Sequence, residues 1–322
     1  MHIRHLLSCP DVNLRQKERV EALEDTVEEW LCSDAFVEVV RLFGGTVVRT
    51  GCIKERIAYY NSFAEVWDYR RKKAGGGERW LIQEDSFLAD NRDVIMEYMY
   101  LLGLRDVVEP SQEPNFILPL GGARMANLDR CITAREVCTM YYPRRVIPIV
   151  ALTGMRPINE IERTSLNLYA PNAQTEYEAM CGGISKAFDL SSEIYEEEFH
   201  DADNVNLSWA ERRYHSKENR IFVLSAPSSD PARRANSMDT FEFFLTHYQL
   251  EPASRILLIT SCIYVPFQLM KFTNLALKKD LFVECIGCKA KPGTESVLNA
   301  ASYLQELKAA INAIYELSER YF

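Results

Sequence analysis

Glycines, hydroxyl side chains and arginines follow several short apolar runs of this sequence, and these residue types can together bind an anion. Glycine lets the backbone come close to a ligand, and the helix that follows offers unpaired N–H groups to negative charge. Arginine adds a planar cation that donates two parallel hydrogen bonds. The pattern occurs at Gly121-Gly122 with Arg124, and again at Gly154 with Arg156. It predicts a site for a small anionic molecule, although a tight strand-to-helix turn alone would also use the two glycines.

A long polar loop after the third apolar run supplies the candidate acid–base groups. Residues 225–240 contain hydroxyls, carboxylates, an amide and the guanidiniums of Arg233 and Arg234. Asp239 and Glu242 lie three residues apart near an expected helix start, so their carboxylates could face the same way. We expect one of them to act as the acid–base or ribose-binding group. The competing interpretation is that Asn236 or Asp239 caps the helix.

Common catalytic and cofactor motifs do not occur in the sequence. Because it contains no Gly-x-Gly-x-x-Gly fingerprint, P-loop or Gly-x-Ser-x-Gly elbow, the standard dinucleotide, Walker and hydrolase interpretations are weak. The five histidines are scattered, and we expect no metal site. Cys285 and Cys288 form a lone CxxC, which is more typical of two thiols at a strand end than of zinc or redox chemistry.

Short apolar runs alternate with helical patterns in residues 114–322. Uninterrupted apolar strands are typical of a parallel sheet that helices cover on both faces. Their alternation with helices predicts an α/β domain with a doubly wound, mostly parallel, Rossmann-like sheet and ligands at the carboxyl ends of its strands. The predicted strands are residues 116–120, 146–152, 221–224, 256–259 and 281–283.

Residues 1–113 predict a separate helical domain at the N-terminus. Apolar residues recur three and four apart from Lys17 to Phe43, with a break near Ser33. Two further helices are predicted, from about Ile57 to Tyr69 and from about Ser86 to Leu102.

Three other segments carry predictions of their own. The basic run from Arg70 to Gly77 is typical of a solvated turn, or of a lid that brings cations to an anionic ligand. The acidic run from Glu193 to Asp203 could attract a cation, but a solvated stretch is the simpler interpretation. A final helix is predicted from Thr294, as its N-cap, to about Leu317.

Composition and charge limit the class of protein. The chain has 322 residues, of which 47% are hydrophobic and 26% charged, as in a folded globular protein. Its net charge of -9 argues against a nucleic-acid partner, because phosphate contacts need a basic surplus. No apolar run reaches the ~18 residues of a membrane span, and the N-terminal apolar stretch is too short for a signal peptide. Nine irregularly spaced cysteines predict reduced thiols in a cytoplasmic protein.

Several strand-end segments share the motifs of a known family. Leu128 and Arg130 follow Gly121-Gly122, and Glu178-Ala179-Met180 follow Thr153-Gly154. This arrangement resembles the opening of the YdcF/SanA/ElyC-type bacterial family, which has a glycine turn with an arginine-led helix and then a Ser-Gly-Gly turn with a Glu-Ala pair.

The later strand ends continue this resemblance. The segment from Asn236 to Glu242 is similar to the family's Thr-x-Glu-Asn element, and Ile259-Thr260-Ser261 is similar to its Val-Thr-Ser strand end. The sequence departs from the family at Phe243, Tyr264 and Phe267, which stand where Asn, His and Arg are expected.

The resemblance implies a Rossmann-like domain with a small-molecule pocket over about residues 115–288. Members of the family are tied to envelope or undecaprenyl-phosphate metabolism, and YdcF-like proteins to S-adenosylmethionine, which is therefore the one cofactor we name. The strand ends and the resemblance together predict these ligand-binding residues: Gly121, Gly122, Arg124, Asn127, Arg130, Gly154, Arg156, Glu178, Ser225, Ser228, Arg233, Asn236, Thr240, Thr260, Ser261 and Tyr264.

Three functions are open on this sequence. The first is an enzyme that acts on or with an anionic or nucleoside-containing small molecule, such as S-adenosylmethionine or a nucleotide, with Arg124, Arg156 and Arg233 neutralising the anion. The second is a non-catalytic ligand-binding or regulatory module on the same fold. The third is an RNA- or tRNA-using transferase, for which the loop at residues 70–73 and Arg212-Arg213 would supply cations. The sequence does not indicate the oligomeric state.

Overall fold

The computed structural model of the protein describes residues 16–70, 82–122, 124–190, 194–215, 220–288 and 299–322. The helices are α1 (Gln16–Cys32), α2 (Asp34–Leu42), α3 (Ile53–Phe63), α4 (Ser86–Asp90), α5 (Arg92–Leu101), α6 (Ala126–Tyr141), α7 (Glu160–Leu166), α8 (Glu176–Phe188), α9 (Ser237–His247), α10 (Val265–Lys278) and α11 (Ala300–Tyr321). The strands are β1 (Phe116–Pro119), β2 (Ile149–Thr153), β3 (Tyr195–His200), β4 (Trp209–His215), β5 (Arg220–Ser225), β6 (Arg255–Ser261) and β7 (Phe282–Cys288). Short 3-10 helices cover Ala64–Trp67, Val205–Leu207 and Cys262–Tyr264.

The chain forms two compact units. Unit 1 contains Met1–Val108, Cys262–Lys278 and Glu295–Phe322, and unit 2 contains Glu109–Ser261 and Lys279–Thr294. The sequence-based division placed everything after residue 113 in one domain, whereas α10 and α11 group with the N-terminal helices.

The described part of unit 1 is helical, as the N-terminal sequence predicted. Ser33 separates α1 from α2, since its Oγ accepts a hydrogen bond from the backbone N–H of Phe36 at 3.3 Å and caps α2. This confirms the predicted break. The second predicted helix begins earlier than expected, at Ile53, because Glu55 accepts from the backbone N–H of Cys52 in a capping box.

Two other helix predictions for unit 1 differ from the structure in detail. The third predicted helix is interrupted at Asn91, which ends α4 and begins α5. Thr294 lies outside the described residues, and α11 begins at Ala300 with Asn299 as its N-cap. The apolar face of α11 buries Leu304 and Ile311, and the helix packs on α3, α5 and α10.

A seven-stranded sheet in the order β3-β4-β5-β2-β1-β6-β7 forms the centre of unit 2. The five strands predicted from apolar runs are present and pair in parallel. Strands β3 and β4 were not predicted and add an antiparallel hairpin at one edge. Residue 193 of the acidic run is outside the described residues. In β3 the carboxylates of Glu197 and Glu198 pair with Arg212 and Arg213 of β4.

Helices cover both faces of this sheet. On one face Ile117, Ala151 and Val223 belong to the same buried cluster as residues of α6 and α8. On the other face the rings of Phe116 and Phe244 of α9 lie 5.5 Å apart between centroids. Because side chains alternate along a strand, each strand contributes to both layers.

No helix among the described residues is both long and apolar enough to cross a membrane.

Candidate functional site

Small and hydroxyl residues form a row across the carboxyl ends of four parallel strands. Thr153 of β2 pairs with Ser225 of β5. Extending the β1–β2 and β1–β6 registers beyond β1 places Gly121 beside Thr153 on one side and Ser261 on the other. We call Ser261, Gly121, Thr153 and Ser225 the edge row. Because residues in register point the same way, the row lies on the sheet face that α6 and α8 cover.

The centre of the edge row lies where the chain changes direction across the sheet. From β1 the chain continues to β2 and β5 on one side, and β6 and β7 lie on the other. Strand β2, which follows β1 in sequence, lies on the side of β1 away from β6. Strand β7, which follows β6, lies on the side of β6 away from β1. We call the carboxyl ends of β1 and β6 the β1–β6 fork.

Arg130, on the first turns of α6, connects the two strands of the fork. Its Nη1 donates to the carbonyl oxygens of Leu120, at 2.7 Å, and of Gly121, and its Nη2 donates to Ser261 Oγ at 3.1 Å. The residue is 3% exposed, and its Nε has no hydrogen-bond partner among the described residues. No carboxylate in the described part of the chain forms a salt bridge with it. A buried charge without a counter-charge costs several kcal/mol, so this cation is a strong candidate for binding an anion.

The turn above Arg130 is shaped by glycine and by Asn127. Gly121 is exposed, and the Oδ1 of Asn127 accepts from the backbone N–H of Gly122 at 2.8 Å. A Cβ built on Gly122 would lie 2.9 Å from Arg130 Nη1, so a larger residue would displace the guanidinium. Arg124 has a φ of 56°, and its carbonyl oxygen accepts from the hydroxyl of Tyr169. The N-cap residue of α6, Met125, makes no side-chain hydrogen bond to the helix.

Two hydroxyls of the edge row are buried without a hydrogen-bond partner among the described residues. Thr153 is 3% exposed and Ser225 is fully buried. A Cβ on Gly121 would lie 3.3 Å from Thr153 Oγ1, so glycine avoids a tight contact with this hydroxyl. Thr260 is buried and equally without a partner in the described structure, but its side chain points to the opposite face because it is adjacent to Ser261 in β6.

Arg156 is held by two glutamates at the end of β2. Both guanidinium Nη atoms donate to Glu162, at 2.6 and 3.0 Å, and Nε and Nη2 donate to Oε1 of Glu176 at 2.8 and 2.6 Å. Burial alone would raise the pKa of Glu162, but the bonds from Arg156 and from the backbone of Asn159 lower it. Burial raises the pKa of Glu176 despite the opposing charges of Arg156 and Arg234. Arg156 was predicted to neutralise a ligand anion, and these carboxylates already neutralise it.

Asp239 caps α9 and binds Arg233. Its oxygens accept from the backbone N–H groups of Ser229 at 3.2 Å and Asn236 at 2.8 Å, and from both Nη atoms of Arg233. Burial opposes ionisation, but the bond from Arg233, with those from Ser229 and Asn236, lowers the pKa of Asp239 to about 2. Glu242 is exposed on α9. This geometry favours the capping interpretation over acid–base work.

Other predicted site residues serve their own helix or loop. Glu178 forms the capping box of α8 with Thr175, and the Thr240 hydroxyl donates to a carbonyl within α9. The Oγ of Ser228 accepts a backbone N–H of its own loop. Tyr264 belongs to unit 1.

Two of the cationic residues considered for RNA, Arg212 and Arg213, pair with glutamates of the β3–β4 hairpin. Of the basic loop predicted as a lid, residues 71–77 lie outside the described residues.

Cys285 and Cys288 lie inside β7, and both are buried. Three residues along a strand place the two side chains on opposite faces, so the CxxC does not bring its thiols together. Burial raises the pKa of the Cys288 thiol, while Arg130 lowers it and Asp129 raises it. Among the described residues no group of His, Cys, Asp or Glu side chains is placed to hold a metal ion.

Sequence reasoning missed Thr153 and Glu176 as site residues, and Glu162 as the counter-ion of Arg156. The pattern Asn159-x-x-Glu162 is a capping-box signal, so it could have marked a helix start at the strand end. Glu176 carries no comparable local signal. Its second oxygen, Oε2, lies 4.0 Å from the position of a Cβ on Gly154, and only the tertiary fold brings the two residues together.

The sheet and its edge define an α/β protein with a mostly parallel sheet, preceded in the chain by helices. A family model described as the Rv3785 N-terminal domain matches residues 15–103. Uncharacterized protein Rv3785 of Mycobacterium tuberculosis and uncharacterized protein Mb3814 of Mycobacterium bovis are each 30% identical to this chain over 346 residues, covering 97% of this chain and 94% of theirs. The chain therefore belongs to the Rv3785 family. No solved structure matches it significantly.

Proposed function

We propose that unit 2 is a doubly wound, Rossmann-like domain that binds a small molecule through an anionic group at the β1–β6 fork, as an enzyme acting on or with that molecule. The observation that carries the proposal is Arg130, a buried cation without a salt bridge in the described structure, placed between the ends of β1 and β6. In open α/β sheets, ligands bind where the strand order diverges. The order β5-β2-β1-β6-β7 has that point between β1 and β6.

Three further features of the fork favour an anion. The N-terminus of α6 carries partial positive charge and has no side-chain cap. Gly121 is exposed and lets an anion come close to the backbone. Ser261 adds a hydroxyl that already contacts Arg130 at 3.1 Å. Because the atoms of Arg130 are almost fully buried, its positive charge would attract an anion bound at the turn formed by Gly121 and Gly122.

The ligand class that fits is a phosphate or carboxylate attached to a nucleoside-like or similarly polar body. The resemblance to the YdcF/SanA/ElyC-type family supports this class, because its shared motifs include Gly121-Gly122, Arg130 and Thr260-Ser261 at the fork. S-adenosylmethionine, which has a carboxylate, and nucleotides, which have phosphates, are therefore the first compounds to test.

A thermal-shift comparison tests the proposal. Binding to the folded state alone raises the Tm by mass action. We expect a nucleotide, S-adenosylmethionine or a nucleotide sugar to raise the Tm of the wild type, and Arg130→Gln to abolish that rise. Arg135→Gln is the matched control, because Arg135 lies on the same helix and donates to the carbonyl oxygen of Ala187 at 3.0 Å, away from the fork. A shift that survives in Arg130→Gln, or no shift with any compound, would contradict the proposal.

A non-catalytic binding module is the second candidate, and the carboxylates favour it. Asp239 is engaged by Arg233 and two backbone N–H groups, and Glu242 is exposed on α9. Neither is arranged to take a proton from a ligand at the fork. Incubating the protein with a compound that binds and following that compound by mass spectrometry separates the two candidates: conversion supports the enzyme, and unchanged compound supports the module.

A further inference from the structure

On the side of β1 away from β6, the edge row contains Thr153 of β2 and Ser225 of β5. Thr153 and Ser225 are neighbours in register and point to the face that α8 covers. Both hydroxyls are buried without a partner among the described residues. A buried hydroxyl without a hydrogen bond is costly, so two adjacent ones at a strand end indicate a place where another polar group binds.

Glu176 stands at the start of α8, close to Gly154 at the end of β2. It is the first residue of the helix, and the capping box there is made by Thr175 and Glu178, so capping does not explain Glu176. Both of its contacts with Arg156 use Oε1. The other oxygen, Oε2, has no hydrogen bond in the described structure and lies near Gly154, the residue after Thr153.

Arg156 does not need Glu176 as its counter-ion. Glu162 already binds both Nη atoms of Arg156, and it is fixed in turn by the backbone N–H of Asn159 at 3.0 Å. The carboxylate of Glu162 is thus sufficient to neutralise the guanidinium of Arg156, and the carboxylate of Glu176 is an additional negative charge. Its available oxygen is suited to accept a hydrogen bond from something outside the protein.

We infer that Thr153, Ser225 and Glu176 form a second polar subsite, which binds a hydroxyl or amino group of the same ligand whose anionic group lies at the β1–β6 fork. This inference rests on the proposed function and narrows the ligand class. Neighbouring strands are about 5 Å apart, so the two ligand groups are separated by one to two strand spacings. The ligand is then a phosphate or carboxylate linked through a short chain or ring to a hydrogen-bond donor.

Three probes of equal length test this subsite: n-butyl phosphate, 3-hydroxypropyl phosphate and 3-aminopropyl phosphate. All three carry the anion, and only the last two carry a terminal donor. We expect the Tm of the wild type to rise with each probe, and more with one of the two donor probes. The better donor probe identifies the ligand group as a hydroxyl or an amine. Its affinity should exceed that of n-butyl phosphate by about tenfold, the equivalent of one hydrogen bond to a charged group.

Two pairs of variants test which side chains cause the larger response to the donor probe. Thr153→Val and Thr260→Val each replace a buried threonine without a hydroxyl partner by a side chain of the same shape, on opposite sheet faces. Glu176→Gln and Glu162→Gln each remove one carboxylate from Arg156. We expect Thr153→Val and Glu176→Gln to abolish the advantage of the donor probe while keeping the response to n-butyl phosphate. Thr260→Val and Glu162→Gln should keep that advantage.

The remaining outcomes separate this inference from the proposed function. If all three probes raise the Tm equally and the response requires Arg130, the anion site stands and the second subsite is wrong. A donor advantage that survives in Thr153→Val and Glu176→Gln also overturns the subsite. If no probe raises the Tm of the wild type, both the anion site and the subsite are wrong.

Discussion

Arg130 and Arg156 show how the same residue type takes different roles at two neighbouring strand ends. Arg156 is bound by Glu162 and Glu176, whereas Arg130 is bound by carbonyl oxygens and by Ser261. A guanidinium between two carboxylates has little capacity left for a ligand anion. One that is buried among neutral acceptors keeps its charge uncompensated. At the residue scale, the anion site therefore depends on Arg130.

The partnerless hydroxyl of Thr153 gives a stability prediction. We expect Thr153→Val to raise the free energy of unfolding by about 1 kcal/mol, because the substitution removes a buried polar group that has no hydrogen bond among the described residues. Urea denaturation of the ligand-free protein measures this. A decrease of similar size would mean that the hydroxyl is hydrogen-bonded in solution, for example to an ordered water.

The capping role of Asp239 gives a pH prediction. We expect Asp239→Asn to lower the free energy of unfolding at neutral pH by about 1 to 2 kcal/mol, since it weakens the helix cap and removes the charge that binds Arg233. The folded-state pKa of about 2 lies below the ordinary value of 3.8. The stabilisation is therefore fully present above about pH 4 and is lost as the pH falls through 2.

Chemical denaturation of the wild type and Asp239→Asn across this pH range is the test. The two curves should converge at the acidic end. Glu242→Gln is the control, and because Glu242 is exposed, its substitution should change stability little at any pH. A constant difference between wild type and Asp239→Asn would exclude ionisation of Asp239 as its source.

At the scale of elements, α6 and α8 set the positions of the site residues. Helix α6 carries Arg130 and α8 begins at Glu176, so the packing of these helices against the sheet fixes the distance between the fork and the second subsite. Gly182 of α8 allows a close approach to the turn after α7: a Cβ there would lie 2.6 Å from the Cβ of Ala170 and 2.8 Å from the carbonyl oxygen of Tyr169.

Gly182→Ala should therefore destabilise the protein by about 1 to 3 kcal/mol, because the backbone of the turn has to move. Gly183→Ala is the matched control on the next residue. Its Cβ would meet Asn127 at 3.4 Å, which the packing tolerates, and alanine favours the helix by up to about 1 kcal/mol. Calorimetry should show a lower Tm only for Gly182→Ala. Equal effects of the two substitutions would contradict this account of α8 packing.

The sequence predicted the elements with a strong local pattern. The five parallel strands were found because buried strands such as β2 are uninterrupted apolar runs, and Ser33 marked the break between α1 and α2. Strand β3 was missed because all its residues are exposed and three of its six residues are glutamates. The pairing of Arg156 with Glu176 was missed for a different reason: the two residues are far apart in sequence, and only the return of α8 to the sheet edge joins them.

At the scale of the whole molecule, unit 1 is assembled from three separate stretches of chain. Helices α10 and α11 follow β6 and β7 in sequence but group with the N-terminal helices. Local periodicity identifies an amphipathic helix without saying which core it covers, so the sequence could not assign these helices to a unit.

This composition of unit 1 gives a prediction for the N-terminal segment. A protein of residues 1–108, which includes the region matched by the family model, should not fold cooperatively alone. It would lack α11, whose buried Leu304, Leu307 and Ile311 contribute to the core of unit 1. Circular dichroism during heating is the measurement. A sharp thermal transition for residues 1–108 would show that α10 and α11 are dispensable.

The most direct test of the anion site is an NMR titration of the [15N]glycine-labelled protein with inorganic phosphate. The chain has 14 glycines, so the spectrum is simple enough to follow Gly121 and Gly122 individually. The account predicts that these two signals shift with saturation in the wild type and do not shift in Arg130→Gln. Unchanged Gly121 and Gly122 signals in the wild type, or equal shifts in Arg130→Gln, would contradict it.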